Sequence, residues 1–336
     1  MFHKVVCPIC LASLEKHTVD DHRTDLVCTE CRNRYYLIDG LPVFLVKDEN
    51  WEVKSEEIEG EAQYNVKHIP MEVHIERNAF VDRNTEAFLS KTSVDLSGKE
   101  LLVIGASMAE LEFWYSKSHK VTCLDIVPSL TKECLRTCLE RGINATWLCG
   151  DGECLPFETE NFDFVIVRQS LHHMQKYYSA ISEFFRTCRI GGSVMIIDEY
   201  YTSFNFKDIL SFFLEKINKM EKTIKFIAGN KSEPLSLLAD KYLNFSLLNC
   251  IQAIRMHTTD FHLSWPKEIA WSDESGDVVK FCHGPNPNCN APLAKKLIVS
   301  GYVSILANKI HKTTCMRNRD ELRAIPFDIL RSMLPI

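Results

Sequence analysis

The chain lacks the features that would tie it to a membrane or an export route. It begins MFHKVVCPIC, with no apolar segment after a basic start, so no secretory leader is expected. It contains no run of about 18 apolar residues, so no membrane-spanning helix is expected either. A basic surplus is also missing. The 39 Lys and Arg are outnumbered by 45 Asp and Glu, for a formal net charge of −6, and dedicated binders of long nucleic acid usually show the reverse. There is no internal repeat and no low-complexity tract. These absences point to a cytoplasmic location. The 336 residues, 46% hydrophobic and 25% charged, suit two domains or one large domain with an appendage.

Cysteine is abundant, with fourteen in the chain. Without an export signal they are expected as thiols or metal ligands rather than a disulfide framework. Cys7-Pro8-Ile9-Cys10 is followed, after 17 residues, by Cys28-Thr29-Glu30-Cys31. Two C-x2-C knuckles bring four thiolates together in a tetrahedral shell, which predicts a Zn2+ site on Cys7, Cys10, Cys28 and Cys31. Protein fills all four positions, so the metal is expected to be structural, supplying folding free energy that so short a segment cannot obtain from apolar burial.

From Lys99 onward, short apolar runs alternate with helical spacing. ELLVIG, KVTCLD, ATWLCGD, FDFVIVRQS and SVMIIDEY read as strands. MAELEFWYSKS, SLTKECLRTCLERG (closing on Gly142) and YYSAISEFFRTCRIGG, ended by its two glycines, read as helices. This alternation predicts an α/β fold with a Rossmann-like, doubly wound, mostly parallel sheet and helices on both faces. Five segments are expected: a zinc ribbon at 1–46, a linker with one or two helices at 47–95, the nucleotide-binding core at 96–202, a helical insertion or lid at 203–262, and loops with late strands at 263–336. Within the last, residues 295–310 read as two short strands or a hairpin. The acidic stretch from Ser55 to Glu61 reads as a solvated linker face. Cys282, His283 and Cys289, with His257 and His262, read as turn-forming loop and surroundings rather than a second metal site.

The first strand-to-helix turn, Gly105-Ala106-Ser107, lies where doubly wound folds bind ligands. Gly105 permits a tight turn and close approach. Asp125 follows 20 residues later at a strand end, where a carboxylate can accept the hydroxyl protons of a ribose. A dinucleotide fingerprint is disfavoured, because it would need glycine at Ser107 and Glu110.

Two resemblances follow from these motifs. CPIC, CTEC and the tail YYLIDGLPVFL resemble the small zinc-ribbon family that activates several methyltransferases, which implies a protein partner or self-association through the ribbon. VIGAS, LDI, GDGECLPFETENFDFVIV, SLHHM and RIGGSVMIIDE resemble class I S-adenosylmethionine (SAM)-dependent methyltransferases, especially the quinone and sterol branch. By that resemblance Gly105, Ala106 and Ser107 line the methionine end of SAM. Asp125 and Ile126 flank the ribose, Asp151 and Gly152 the adenine, and Arg168 the sulfonium. The sequence departs from the family at Val103, where an acid is usual, and at Ser107 and Ala109, where glycine is usual. A left-handed backbone there would cost about 1–2 kcal/mol per residue.

His172 and His173 follow the fourth strand, and Asp198, Glu199, Tyr200 and Tyr201 end the fifth. His172, His173 and Glu199 are the candidates for proton transfer. A small-molecule acceptor (lipid, quinone, sugar or secondary metabolite, at O, N or C) is the first expectation. An RNA- or protein-modifying enzyme gripping its substrate with Lys4, Arg23, Arg32 and Arg34 of the ribbon is the second, so nucleic acid stays an alternative, unfavoured partner. A non-catalytic SAM-fold subunit is the third, supported by the irregular glycine loop.

Overall fold

A computed structural model describes residues 5–66, 71–204, 247–264, 268–272, 278–282, 298–313 and 322–334. Four short strands open the chain: β1 (Leu14–Thr18), β2 (Arg23–Cys28), β3 (Arg34–Ile38) and β4 (Leu41–Phe44). After β5 (Val46–Lys47) come two helices, α1 (Trp51–Val66) and α2 (Met71–Thr92). The alternating unit follows as β6 (Leu101–Ile104), α3 (Met108–Lys117), β7 (Val121–Asp125), α4 (Pro128–Arg141), β8 (Thr146–Gly150), β9 (Phe162–Arg168), α5 (Tyr177–Thr187) and β10 (Cys188–Phe204). Last come α6 (Leu247–Arg255), β11 (Phe261–Ser264), β12 (Glu268–Ser272), β13 (Val278–Cys282), β14 (Ile298–Asn308), β15 (Arg323–Ala324) and α7 (Phe327–Met333).

Eleven strands form one sheet in the order β1-β2-β3-β4-β8-β7-β6-β9-β10-β14-β11. From β4 to β10 the pairings are parallel, and β14 enters antiparallel to β10. The arrangement is the mostly parallel, Rossmann-like sheet that the alternating pattern predicts. Its strands are buried on both faces, which is why they read as unbroken apolar runs. One face is covered by α5 and α6, with Ile181, Phe184, Phe185 and Ile254 in its core, and this core extends to Cys7, Leu26 and Tyr35 of the N-terminal segment. The other face is covered by α1 to α4 and α7 through Trp51, Phe88, Leu111, Trp114 and Leu330.

The N-terminal strands continue the large sheet rather than stand apart from it. Val43 and Phe44 of β4 pair with Cys149 and Gly150 of β8. Val6 donates its N–H to the Pro156 carbonyl at 3.0 Å, and the Cys154 thiol donates to the Pro8 carbonyl at 2.9 Å. The far end of the chain returns to the same place: β15 pairs with β5, and Ala324 donates its N–H to Asn33 Oδ1 at 3.1 Å.

Several sequence expectations change. Helix α5 ends at Thr187, not at the glycines. Cys188 is already extended and paired with Phe162, and Gly191 and Gly192 lie in a bulge of β10. A Cβ on Gly192 would sit 2.3 Å from the Asp163 carbonyl oxygen, so this glycine serves strand packing, while Gly191 supplies a left-handed residue at φ 82°. The fifth strand therefore runs from Cys188 to Phe204, past the expected start of the helical insertion. Within 203–262, α6 is helical and Phe261–Ser264 is a strand, while 205–246 lies outside the described residues. Residues 298–308 form one strand rather than two, and the region read as loop holds the β12–β13 hairpin. Gly142 does close α4 in a left-handed conformation, with φ 66° and ψ 26°.

Candidate active site and cysteine cluster

The two cysteine pairs converge. The Sγ atoms of Cys7, Cys10, Cys28 and Cys31 all lie within 4.8 Å of one another. Tetrahedral thiolate coordination at about 2.3 Å would set sulfur–sulfur separations of about 3.8 Å, so the four groups fit such an ion. Left-handed residues, Leu11 (φ 64°) and Arg32 (φ 60°), turn the chain back after each pair. The Asn33 side-chain amide donates to Cys31 Sγ at 3.2 Å, and Tyr35 Oη lies 3.4 Å from Cys7 Sγ. Neighbouring groups thus hold two of the sulfurs. Two of the segment's arginines are engaged: Arg23 and Arg34 both pair with the buried Asp25, and the Arg23 guanidinium also lies 3.8 Å from the Phe327 ring centre.

At the carboxyl edge of the sheet, the turns after β6, β7, β8 and β9 come together beside the bulge of β10. Gly105 has φ 70°, and a Cβ there would lie 2.2 Å from Ser170 Oγ. The neighbouring positions carry none of the strain expected of them. Ser107 is extended (φ −109°, ψ 178°), and its hydroxyl caps α3 by accepting the Glu110 N–H at 3.4 Å. Ala109 lies inside α3 and Ala106 has no positive φ, so only Gly105 needs to be glycine.

Asp125, half-buried at the end of β7, accepts the Val127 N–H through Oδ1 at 2.8 Å. The half-buried Ile126 follows and packs against the α1–α4 core. Asp151 is 3% exposed and engaged through both oxygens: Oδ1 takes the Glu153 N–H at 2.8 Å, and Oδ2 takes Lys54 Nζ at 2.7 Å. A Cβ on Gly152 would meet the Met174 Cε at 2.7 Å, so a flexible thioether tip covers this turn.

Lys54 is the main feature that sequence reading missed. It sits on α1, is 4% exposed, and donates to Asp151, to Glu153 at 2.8 Å and to Asp48 at 3.1 Å. Burial alone would lower its pKa, but the three carboxylates raise it overall. One turn on, Glu57 pairs with His173 Nδ1. The stretch taken for a solvated linker is therefore a helix whose Lys54 and Glu57 reach the turns after β8 and β9, with Ile58 buried beside them.

Arg168 is also enclosed. It donates to Glu110 at 2.5 Å, to Asp82 at 2.9 Å and to Thr85 at 3.1 Å, with the Phe113 ring centre 5.1 Å away. Glu110 in addition accepts Trp114 Nε1 at 3.0 Å. Arg168 and Glu110 are thus tied into one buried network that fixes α2 and α3 to the end of β9. Glu199 is fully buried. Its carboxylate accepts the N–H of Leu171 at 3.0 Å and of His172 at 3.1 Å and pairs with His172 Nδ1. It caps the short 3-10 turn Leu171–His173, so Glu199 and His172 are brought together while His173 turns to α1. His257 stacks on Phe185 and His262 lies on β11; His283 and Cys289 fall outside the described residues.

Comparison with known proteins now defines the class. Residues 102–196, from β6 into β10, match the family described as methyltransferase domain. The chain carries a domain of the SAM-dependent methyltransferase fold and is an enzyme of the methyltransferase class. Among solved structures it is similar to the YcgJ protein of Bacillus subtilis, at 11% identity over 68% of this chain and 99% of that one, with a TM-score of 0.41. It is also similar to an arsenic(III) SAM methyltransferase of Chlamydomonas reinhardtii, at 15% identity over 64% and 65%, with a TM-score of 0.43. No curated protein matches the chain. Among the described residues no helix is long and apolar enough to cross a membrane.

Proposed function

We propose that the chain transfers a methyl group from SAM to a small-molecule acceptor in the cytoplasm, and that Cys7, Cys10, Cys28 and Cys31 hold a structural Zn2+. One observation carries the reading. The matched domain has a left-handed glycine, Gly105, in its first strand-to-helix turn, beside the Asp125 carboxylate at the carboxyl edge, where nucleoside ligands bind in such sheets. The side chains against the two glycines of the crevice are a serine hydroxymethyl and a methionine tip, small or adjustable groups rather than a ring wedge. Gly105, Ala106 and Ser107 would hold the methionine end, Asp125 with Ile126 the ribose, and Asp151 with Gly152 the adenine side. Arg168 would act through the Glu110 network that shapes the floor.

SAM supplies an electrophilic methyl group on a sulfonium. The protein's part is then mainly alignment and exclusion of water, since oriented reactants gain large effective molarity. His172, oriented by Glu199, is the candidate to receive an acceptor proton, and His173, tied to α1, the candidate to close the rim. The quinone and sterol branch remains the best family analogue for the core, and the activator-type ribbon for the N-terminus. With Arg23 and Arg34 committed to Asp25, two of the four basic residues considered for RNA are engaged within the segment itself, and a protein contact or self-association suits it better. The unstrained Ser107 and Ala109 remove the chief support for a non-catalytic subunit.

Calorimetry with SAM and S-adenosylhomocysteine tests the reading. We expect both to bind the wild-type protein and Asp125→Ala to weaken both at least tenfold. No heat from either with the wild type refutes it.

A further inference from the structure

Asp198 stands within β10, level with the carboxyl end of β9, in the bulge between Ile196 and Glu199, with φ 48°. Its N–H donates to Ser304 Oγ at 3.0 Å, and its Oδ1 accepts the Ser304 hydroxyl at 3.1 Å. The other oxygen, Oδ2, is buried without a hydrogen-bond partner among the described residues, on a residue 1% exposed. A buried carboxylate oxygen lacking a donor is costly, so a native fold tends to supply one. The protein's own candidates are engaged elsewhere. Arg168 donates to Glu110 and Asp82, and His172 Nδ1 pairs with Glu199. Four carboxylates, Asp82, Glu110, Asp198 and Glu199, surround this guanidinium and this imidazole, so the region is short of positive charge as well as of one donor.

We propose that Asp198 recognises the methyl acceptor and that the acceptor is an amine, whose N–H donates to Asp198 Oδ2. This rests on the methyltransferase reading above and names the acceptor class for the same site. Charge selects the amine over an alcohol. As the acceptor nitrogen's lone pair forms the N–C bond, the methyl carbon's bond to sulfur breaks and its electron pair goes to sulfur. The positive charge moves from sulfonium to the N-methylammonium product, which keeps its proton until release and lies against Asp198. An alcohol would yield a neutral ether only after losing its proton to a base, and would leave the acidic cluster without a cation. Burial, partly offset by Ser304, raises the Asp198 pKa to about 6, consistent with a carboxylate that lacks a full complement of donors.

The test compares wild type with Asp198→Asn. Asparagine tolerates the left-handed backbone and can still accept from Ser304, so mainly the charge is removed. Full-length protein saturated with S-adenosylhomocysteine is melted with butylamine or benzylamine and with butanol or benzyl alcohol as matched controls. We expect the amines, not the alcohols, to raise the wild-type Tm, and no amine effect in Asp198→Asn. Where a labelled-methyl assay gives turnover with an amine, kcat/KM should fall about 100-fold in the variant. Alcohols acting as well as amines, no amine effect on the wild type, or an equal effect on the variant each overturn the proposal. So does an Asp198→Asn variant whose S-adenosylhomocysteine affinity falls as far as its amine response, because Asp198 would then serve the donor. If S-adenosylhomocysteine does not bind the wild type at all, the methyltransferase reading itself fails, and that outcome is distinct from the others.

Discussion

Replacing Lys54 with methionine isolates the contact that ties α1 to the carboxyl edge. The ammonium is 4% exposed and donates to three carboxylates, at 2.7, 2.8 and 3.1 Å. Methionine keeps most of the volume and removes the charge together with its three hydrogen bonds. Three hydrogen bonds to charged groups, at about 1.5–3 kcal/mol each, bound the loss near 5–9 kcal/mol. Relaxation lowers this, because Glu153, whose pKa is already raised by burial and by Asp151, can take up a proton. Lys176 Nζ also stands 3.6 Å from Asp48 as a partial substitute. We therefore expect a loss of about 3–5 kcal/mol near neutral pH, the range for breaking one side of a buried ion pair. The sign with pH follows from linkage. Carboxylates left without their cation have folded pKa values above the unfolded ones, so the variant's stability falls as pH rises through them. Urea unfolding followed by tryptophan fluorescence should show a smaller deficit at pH 5 than at pH 8. A deficit below about 1 kcal/mol at both pH values refutes the argument that Lys54 is a buried charge hub.

Other outcomes follow from the same geometry. Gly105→Ala should weaken S-adenosylhomocysteine binding more than tenfold; adding Ser170→Gly removes the clashes with the Ser170 Oγ and Cβ, at 2.2 and 2.5 Å, but leaves about 1–2 kcal/mol of left-handed strain, separable by calorimetry on the double variant. Glu199→Ala should cost about 2–4 kcal/mol in denaturant unfolding, because the amides of Leu171 and His172 lose their acceptor; a loss under 0.5 kcal/mol counts against the capping role. Asp198 has a folded pKa raised by burial from 3.8 to about 6, so its contribution favours folding below pH 4 and is lost as pH rises through 6; Asp198→Asn should gain up to about 3 kcal/mol on wild type between those limits, read from paired urea curves. Elemental analysis should find one zinc per chain, and Cys28→Ser should lose it together with more than about 4 kcal/mol of stability; a metal-free protein of undiminished stability refutes the zinc assignment.

How much of this was legible in the sequence depended on the range of each interaction. The strands from β6 to β10 were readable because burial on both faces forces continuous apolar runs, and Gly142 because a helix end needs a left-handed residue. The cysteine pairs were readable because ligand geometry dictates a two-residue spacing. Lys54 was not, since its partners Asp151 and Glu153 lie 97 and 99 residues away and nothing in an acidic stretch marks one lysine as buried. The long β10 was misjudged because Gly191-Gly192 satisfies two rules, a helix stop and a bulge, and only the close approach to the Asp163 carbonyl selects the second. Ser107 and Ala109, the two non-glycine residues of the loop, read as strained only on the assumption that every family glycine marks a positive φ. Here Ser107 serves as a helix cap in extended backbone, where serine is favoured over glycine.

The continuous sheet changes what the N-terminal segment can do. A parallel α/β sheet ordinarily ends in an exposed strand, and an exposed edge invites pairing with other chains. Here the edge strand β8 is covered by β4, and β4 is held in turn by β3, β2 and the cysteine knuckles. Cys154, three residues after Asp151, anchors the same segment through the Pro8 carbonyl. The turn offered for the adenine side therefore has the N-terminal segment on one flank, through Cys154 and β4, and α1 on the other, through Lys54. A disturbance at the four cysteines has a short packed route to Asp151, because both are attached to the end of β8 rather than joined through a linker. On this geometry the N-terminal segment forms one wall of the turn after β8 and shares its core with α5 and α6, so its loss should change ligand affinity at the proposed site together with the packing of those helices.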